Sequence, residues 1–312
     1  MSPSTPARRQ ASQDRYNAFC GAPAHLIGMA GCVKSARPRR VSRRDGPPTD
    51  RVTPTRHDRH VIPEPVPTRP PGPPVPPVPP WLQRVEPRLA AALASRQRSH
   101  PDPVAGVAAA ADWFATFPPP LHPRRRSAVL MLFSPGTSGG TGLGDLLLTE
   151  RAHTLRSHAA QVVCPGGHLE PGDDGPVAAA LREAHEEVGL DPASVQVVAE
   201  LPALYMHPAE MAVHPVLAWW PRPHPLRVVD AREVAQVLVA EVAELLDPDR
   251  RFTVVAPDHY RGPGFEVGGL VVWGFTAALI EAVGELAGIA PAWDGHRTRA
   301  LPGYLASAYW PD

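Results

Sequence analysis

The sequence predicts a mixed α/β domain, with helices covering the faces of a mixed sheet, behind a disordered Pro/Arg-rich tail. Three observations carry this. Short apolar runs such as Ser127 to Phe133 (SAVLMLF) and Asp145 to Thr149 (DLLLT) have strand length and are interleaved with stretches of helical spacing. Glycine- and proline-rich segments punctuate them. The chain also carries 42 prolines, crowded toward its start and closing in PPGPPVPPVPP, a polyproline II composition that builds no packed core. Residues 1–80 are therefore expected to be tail and stiff linker, 81–290 the folded domain and 291–312 a C-terminal tail.

In chain order, Trp81, Leu82, Val85, Leu89, Ala92 and Leu93 recur at helical spacing and open the domain. The runs 127–133 and 145–149, joined by SPGTSGGTGLG, read as a hairpin. A short strand near Gln161 to Cys164 leads into Pro165-Gly166-Gly167, a turn-rich loop and a helix over 176–188. Val195 to Leu204 and Met211 to Trp220 read as strands, the second apolar enough to lie inside a sheet. Glu233 to Leu246 is ambiguous between strand and helix, and Val271 to Leu286 has helical spacing. The tail beyond Ala290 offers no pattern.

Lys+Arg and Asp+Glu balance at 31 each, which gives no reason to expect a nucleic-acid or membrane partner. Lys34 is the only lysine, so the arginines reflect coding bias better than selection for phosphate binding. Cys20, Cys32 and Cys164 fall in no disulfide or metal spacing, and a reducing cytoplasm is the expected compartment. No apolar run approaches the roughly 20 residues that span a bilayer.

The chemistry concentrates in Gly166 to Leu190, GGHLEPGDDGPVAAALREAHEEVGL. Glu183, Glu186 and Glu187 stand at i, i+3 and i+4, on one exposed face of a helix. Three carboxylates there repel one another, and a hard divalent cation is the natural counter-charge. Val177, Leu181, Ala184 and Val188 form the opposite, apolar stripe. Arg182 is one turn from Glu186, and Gly189 stands where a helix C′ glycine belongs. Asp173 is a loop residue that either binds, positions or caps. His168 and His185 are expected to be exposed rather than ligating, and Trp219, Trp220 and Trp273 to be core.

This stretch resembles the Nudix box, Gly, five residues, Glu, seven residues, then Arg-Glu-apolar-x-Glu-Glu-x-Gly-apolar. Gly167 is followed after five residues by Asp173 rather than Glu, and Arg182 comes one residue late, a spacing similar to that of the coenzyme A diphosphatase branch. Upstream, LLLTERAHTLRSHAAQVVCPGG resembles that branch's signature LLTxRxxxLxxHxGQVxFPGG, with Ala160 where glycine is usual and Cys164 where phenylalanine is. Trp273 to Ala277 and Glu233-Val234-Ala235 are similar to its WGxTA and EVA elements.

The resemblance implies a Nudix-type α/β/α sandwich that hydrolyses coenzyme A or acyl-CoA with Mg2+ or Mn2+. It implies Glu183 and Glu187 as principal metal ligands and Glu186 as a further ligand or water-orienting base. Gly166 and Gly167 would admit the substrate's phosphates, and Arg151, Arg156 and His158 would contact them. Other nucleoside diphosphate-X substrates, or a non-catalytic nucleotide sensor, are the alternatives; the partner is in each case a small molecule.

Overall fold

The computed structural model describes residues 74–98, 105–136, 142–155, 157–256 and 260–309. The tail up to residue 73 and Arg156 lie outside the described residues.

Pro79 and Pro80 start a one-turn helix α1 (Pro80–Gln83), followed by α2 (Val85–Arg98), which buries Val85, Leu89 and Ala92. The linker's end is anchored, because Trp219 Nε1 donates to the Pro76 carbonyl at 3.0 Å. Helix α3 (Ala105–Thr116), AGVAAAADWFAT, has no counterpart in the sequence reading. It is apolar on nearly every side, so it has no amphipathic contrast to detect, and it is buried accordingly with Trp113 fully enclosed.

The main sheet is built on β1 (Arg125–Ser134) and β2 (Asp145–Arg151). The expected hairpin exists but is short: the two strands pair through Phe133 with Leu146 and Ser134 with Asp145, then splay apart. Two short strands occupy the gap. β3 (Val162–Val163) pairs with β2, and β4 (Gly166–His168) pairs antiparallel with Ser127 to Val129 of β1. The glycine pair expected in a loop is therefore itself sheet.

After α4 (Pro176–Val188) the chain forms β5 (Gln196–Glu200) and β6 (Leu204–Met206), two strands where one was expected. Both pair antiparallel with β7 (Met211–Trp219), which runs parallel to β1 over nine residue pairs. The ambiguous segment resolves into strand β8 (Val234–Glu241), paired antiparallel with β2, and a single turn α5 (Val242–Leu245).

A second sheet, unforeseen in the sequence, comprises β9 (Arg251–Val255), β10 (Arg261–Val267) and β11 (Leu270–Val272). β10 reads RGPGFEV, a turn-like composition, yet Gly264 is required within it. A Cβ there would sit 2.6 Å from Phe252 Cε2 on the neighbouring strand. The helix expected from Val271 begins later, as α6 (Gly274–Ala287), because Val271 and Val272 belong to β11. Past Ala290, β12 (Thr298–Ala300) pairs in parallel with β9, and α7 (Gly303–Tyr309) buries Leu305 completely.

Layering follows strand alternation. Ala128, Leu130, Leu132, Leu147, Val216 and Ala218 face α4, which answers with Ala179, Ala180, Ala184 and Val188. Val129, Met131, Phe133, Leu146 and Leu148 face the larger core shared with α1, α2, α3 and α6. The result is the expected α/β/α sandwich around a mixed sheet. Trp219, Trp220 and Trp273 are core. Among the described residues no helix is long and apolar enough to cross a membrane.

Candidate active site

Helix α4 starts with Pro176 at its first turn and stops at Gly189, whose left-handed φ of 74° lets its N–H return to the Ala184 and His185 carbonyls. Its apolar stripe rests on the sheet. That seating turns Glu183 and Glu187 toward β4 and leaves Glu186 outside. The carboxylates are thus not equivalent. Glu187 was expected on an exposed face, but the splay of β1 and β2 lets β4 close over it, and it is 3% exposed. Gly166 N–H donates to its Oε2 at 3.2 Å.

Gly166 is sterically required by the β1 backbone, and Gly167 leaves the Glu183 carboxylate in place. A Cβ on Gly166 would lie 2.8 Å from Val129 Cα, and one on Gly167 2.5 Å from Glu183 Cδ. Lacking side chains, Gly166 packs directly on the β1 backbone and Gly167 directly on the Glu183 carboxylate.

Arg182 organises the rim. Its Nε and Nη2 donate to Asp173 Oδ1 and Oδ2 at 2.9 and 3.0 Å, Nη2 also to the His168 carbonyl at 2.9 Å. Nη1 stands 3.1 Å from Glu183 Oε1 and 3.4 Å from Glu186 Oε2. Asp173 is therefore a fastener for the loop, also accepting the Glu170 N–H at 2.8 Å, and Arg182 holds its carboxyl below the usual range. The helical pair with Glu186 exists, but the guanidinium's fork goes to Asp173.

Electrostatics distinguishes the site from a solvated acidic helix. Burial pushes Glu187 up to about 8; Glu183 and Glu233 raise it further, while Arg151 and the Gly166 N–H oppose. Glu183 is raised as well, by burial first and by Glu186 and Glu233, against Arg182. Glu233, half-buried just before β8, was noted in the sequence only for its motif. It is a fourth carboxylate bearing on this cluster, placed by the Ala152 N–H donating to its carbonyl at 2.8 Å. Its signal is the long-range pairing of β8 with β2, which a linear reading does not contain.

Arg151 ends β2, 8% exposed, and its Nε has no hydrogen-bond partner among the described residues. His158 is 4% exposed in a left-handed conformation, φ 57°, with Nδ1 3.0 Å from Gln161 Oε1. Burial and the Arg151 charge lower its pKa to about 4, so it is neutral near pH 7. As a phosphate contact it would offer hydrogen bonding, not charge. Ala160 also has a left-handed φ of 59°, the conformation that glycine adopts without strain. Cys164 is buried, which pushes its thiol up to about 12. His185 is exposed, with Nδ1 2.8 Å from the Leu190 carbonyl; His168, expected exposed, is half-buried where β4 meets β1.

No three His, Cys, Asp or Glu side chains among the described residues are already gathered as a ligand set. The donors nevertheless suit a hard divalent cation, being carboxylate oxygens with two glycines that leave room for close approach. Burial and mutual repulsion raise Glu187 and Glu183, and a bound cation would offset both.

A family model for the NUDIX domain matches residues 123–256. The chain is 39% identical over 140 residues to an uncharacterized Nudix hydrolase, NudL, of Cronobacter sakazakii, covering 43% of this chain and 71% of that one. It is 36% identical over 152 residues to NudL of Escherichia coli K12, covering 47% and 77%. Among solved structures, it is similar to a Nudix hydrolase from M. smegmatis, RenU, at 19% identity, TM-score 0.39, covering 55% of this chain and 90% of that one.

Proposed function

This chain belongs to the Nudix hydrolase family, and from that premise we propose that it hydrolyses the pyrophosphate bond of coenzyme A or acyl-CoA. The products would be adenosine 3′,5′-bisphosphate and the (acyl-)4′-phosphopantetheine. The observation that carries the substrate is the in-register signature ahead of the box, from Leu147 through Arg151, His158 and Gln161 to Gly167.

A bound Mg2+ or Mn2+ supplies neutralisation of the phosphate oxygens and a more acidic, better oriented water. In this reading Glu183 and Glu187 hold it and Glu186 is a further ligand or the water-orienting base. Glu233 adds a fourth acidic group at the edge. Gly166 and Gly167 admit the substrate's phosphates. Asp173, through Arg182, keeps the loop and Glu183 in place. Arg151 offers a buried Nε–H with no acceptor among the described residues, a group suited to an incoming phosphate oxygen. Arg156, from the adjoining segment, is assigned to the 3′-phosphate with it, and His158 contributes a neutral hydrogen-bonding ring. The cysteine pattern remains the reason to place the enzyme in the cytoplasm.

A panel of coenzyme A, dephospho-coenzyme A, a nucleotide sugar and a dinucleotide, with products identified by mass, tests the proposal. Coenzyme A is expected to exceed dephospho-coenzyme A by at least about tenfold in kcat/KM, equivalent to roughly 1.4 kcal/mol. Arg151→Ala and Arg156→Ala should shrink that ratio. Equal rates on the two coenzymes, or preference for a sugar or dinucleotide, would overturn the specificity; no turnover with any of them would support a sensor instead.

A further inference from the structure

The second sheet carries a cleft whose lining includes none of the carboxylate-site residues. It is a cleft open to solvent, of about 350 Å³, beside β9, β10 and β12, within the size range of small-ligand pockets. Arg250, Arg297 and Arg299 converge on it, against the carboxylates of Asp249 and Glu266, with Phe252 at its base. Arg299 lies over the Phe252 ring, 5.1 Å from its centroid, and pairs with Glu266, so its plane is held from below and from the side. Arg250 pairs with Glu244. Arg297 donates to the Asp249 carbonyl and forms no ion pair among the described residues, so its charge is the least committed of the three.

The side chains of Arg250 and Arg299 are 49% and 44% exposed. Ion pairs this open are weak and can be exchanged for a better anion. Phosphate is that anion, since guanidinium forks match its oxygens two at a time. The Arg299 guanidinium, held over the buried Phe252 ring, adds a planar cationic group against which a base can lie. Asp249, Arg250 and Phe252 lie inside the range that the family model matches, 123–256, whereas Glu266, Arg297, Thr298 and Arg299 lie beyond it.

We propose that this cavity binds a phosphate-bearing ligand of mononucleotide size, independently of the carboxylate site. The test is isothermal titration calorimetry on the full chain in EDTA at low ionic strength, with ADP and inorganic phosphate as probes. ADP is expected to bind wild type and Arg151→Ala equally, and the Arg297→Ala/Arg299→Ala double variant at least about tenfold more weakly, as for loss of charge-assisted contacts. Inorganic phosphate should bind at the same place more weakly than ADP. If the double variant melts early, Arg297→Gln, which keeps the strand's side-chain bulk, carries the comparison. Loss of ADP binding in Arg151→Ala with retention in the arginine variants would place the ligand at the carboxylate site and overturn the proposal. So would no binding at millimolar ADP, and equal affinity for phosphate and ADP would overturn its nucleotide size. No turnover is read, so the outcome is independent of the substrate panel.

Discussion

Glu187→Gln should abolish turnover and at the same time stabilise the metal-free protein. In the folded chain burial holds this carboxyl's pKa at about 8, against 4.5 as the ordinary value. Between those two pH values the folded state keeps a proton that the unfolded state has released. Stability therefore falls as pH rises through the window, at about 1.4 kcal/mol per pH unit, and is level below it. At pH 7 the accumulated loss is roughly 3 kcal/mol. Glutamine has no proton to lose, and its carbonyl can still accept the Gly166 N–H, so the variant escapes that loss. For a domain of about 200 residues the gap corresponds to a Tm higher by roughly 5–10 °C. Thermal melts in EDTA from pH 5 to 8 should show the two proteins diverging as pH rises. Adding Mg2+ should raise the wild-type Tm and release a proton, and do neither to the variant. Turnover should fall by about three orders of magnitude. A variant that melts below wild type at pH 7 in EDTA, or turns over at the wild-type rate, would refute the reasoning.

Gly167→Ala places a Cβ 2.5 Å from Glu183 Cδ, so the carboxylate must swing away. It should cost at least about a hundredfold in kcat with little change in Tm, because the obstructed atoms end a side chain. Ala160→Val puts a β-branched residue at φ 59° and should destabilise by more than about 2 kcal/mol in denaturant titration. Ala160→Gly should stay within about 1 kcal/mol of wild type, since relief of strain is offset by the buried methyl lost and the added freedom of the unfolded chain. Deleting residues 1–73 should leave rate and Tm unchanged, because the cut spares Pro76, whose carbonyl anchors Trp219. A marked drop in either would show that the removed segment contributes to the domain.

Much of the site was legible because its information is local. Three glutamates at i, i+3 and i+4, an apolar stripe opposite, and a glycine at the helix end all lie within one continuous helix, so helical geometry alone puts them in register. The strands at 125–134, 145–151 and 211–219 were legible for the same reason, each being an apolar run bounded by turns. Features that depend on neighbours distant in sequence were not. Helix α3 is nearly uniform in polarity, so only its enclosure by other helices distinguishes it from a loop. Strand β10 hides behind Gly264, whose missing side chain is explained by Phe252 on a partner strand. Sequence by itself determined helix α4, its three clustered carboxylates and the family. The tertiary structure decided which carboxylate is buried, that Glu233 joins the group, and that Arg151 is buried with an Nε–H unpaired among the described residues. Desolvation and electrostatic pairing depend on what the fold brings close, and here that is set by β1 and β2 splaying apart to admit β4.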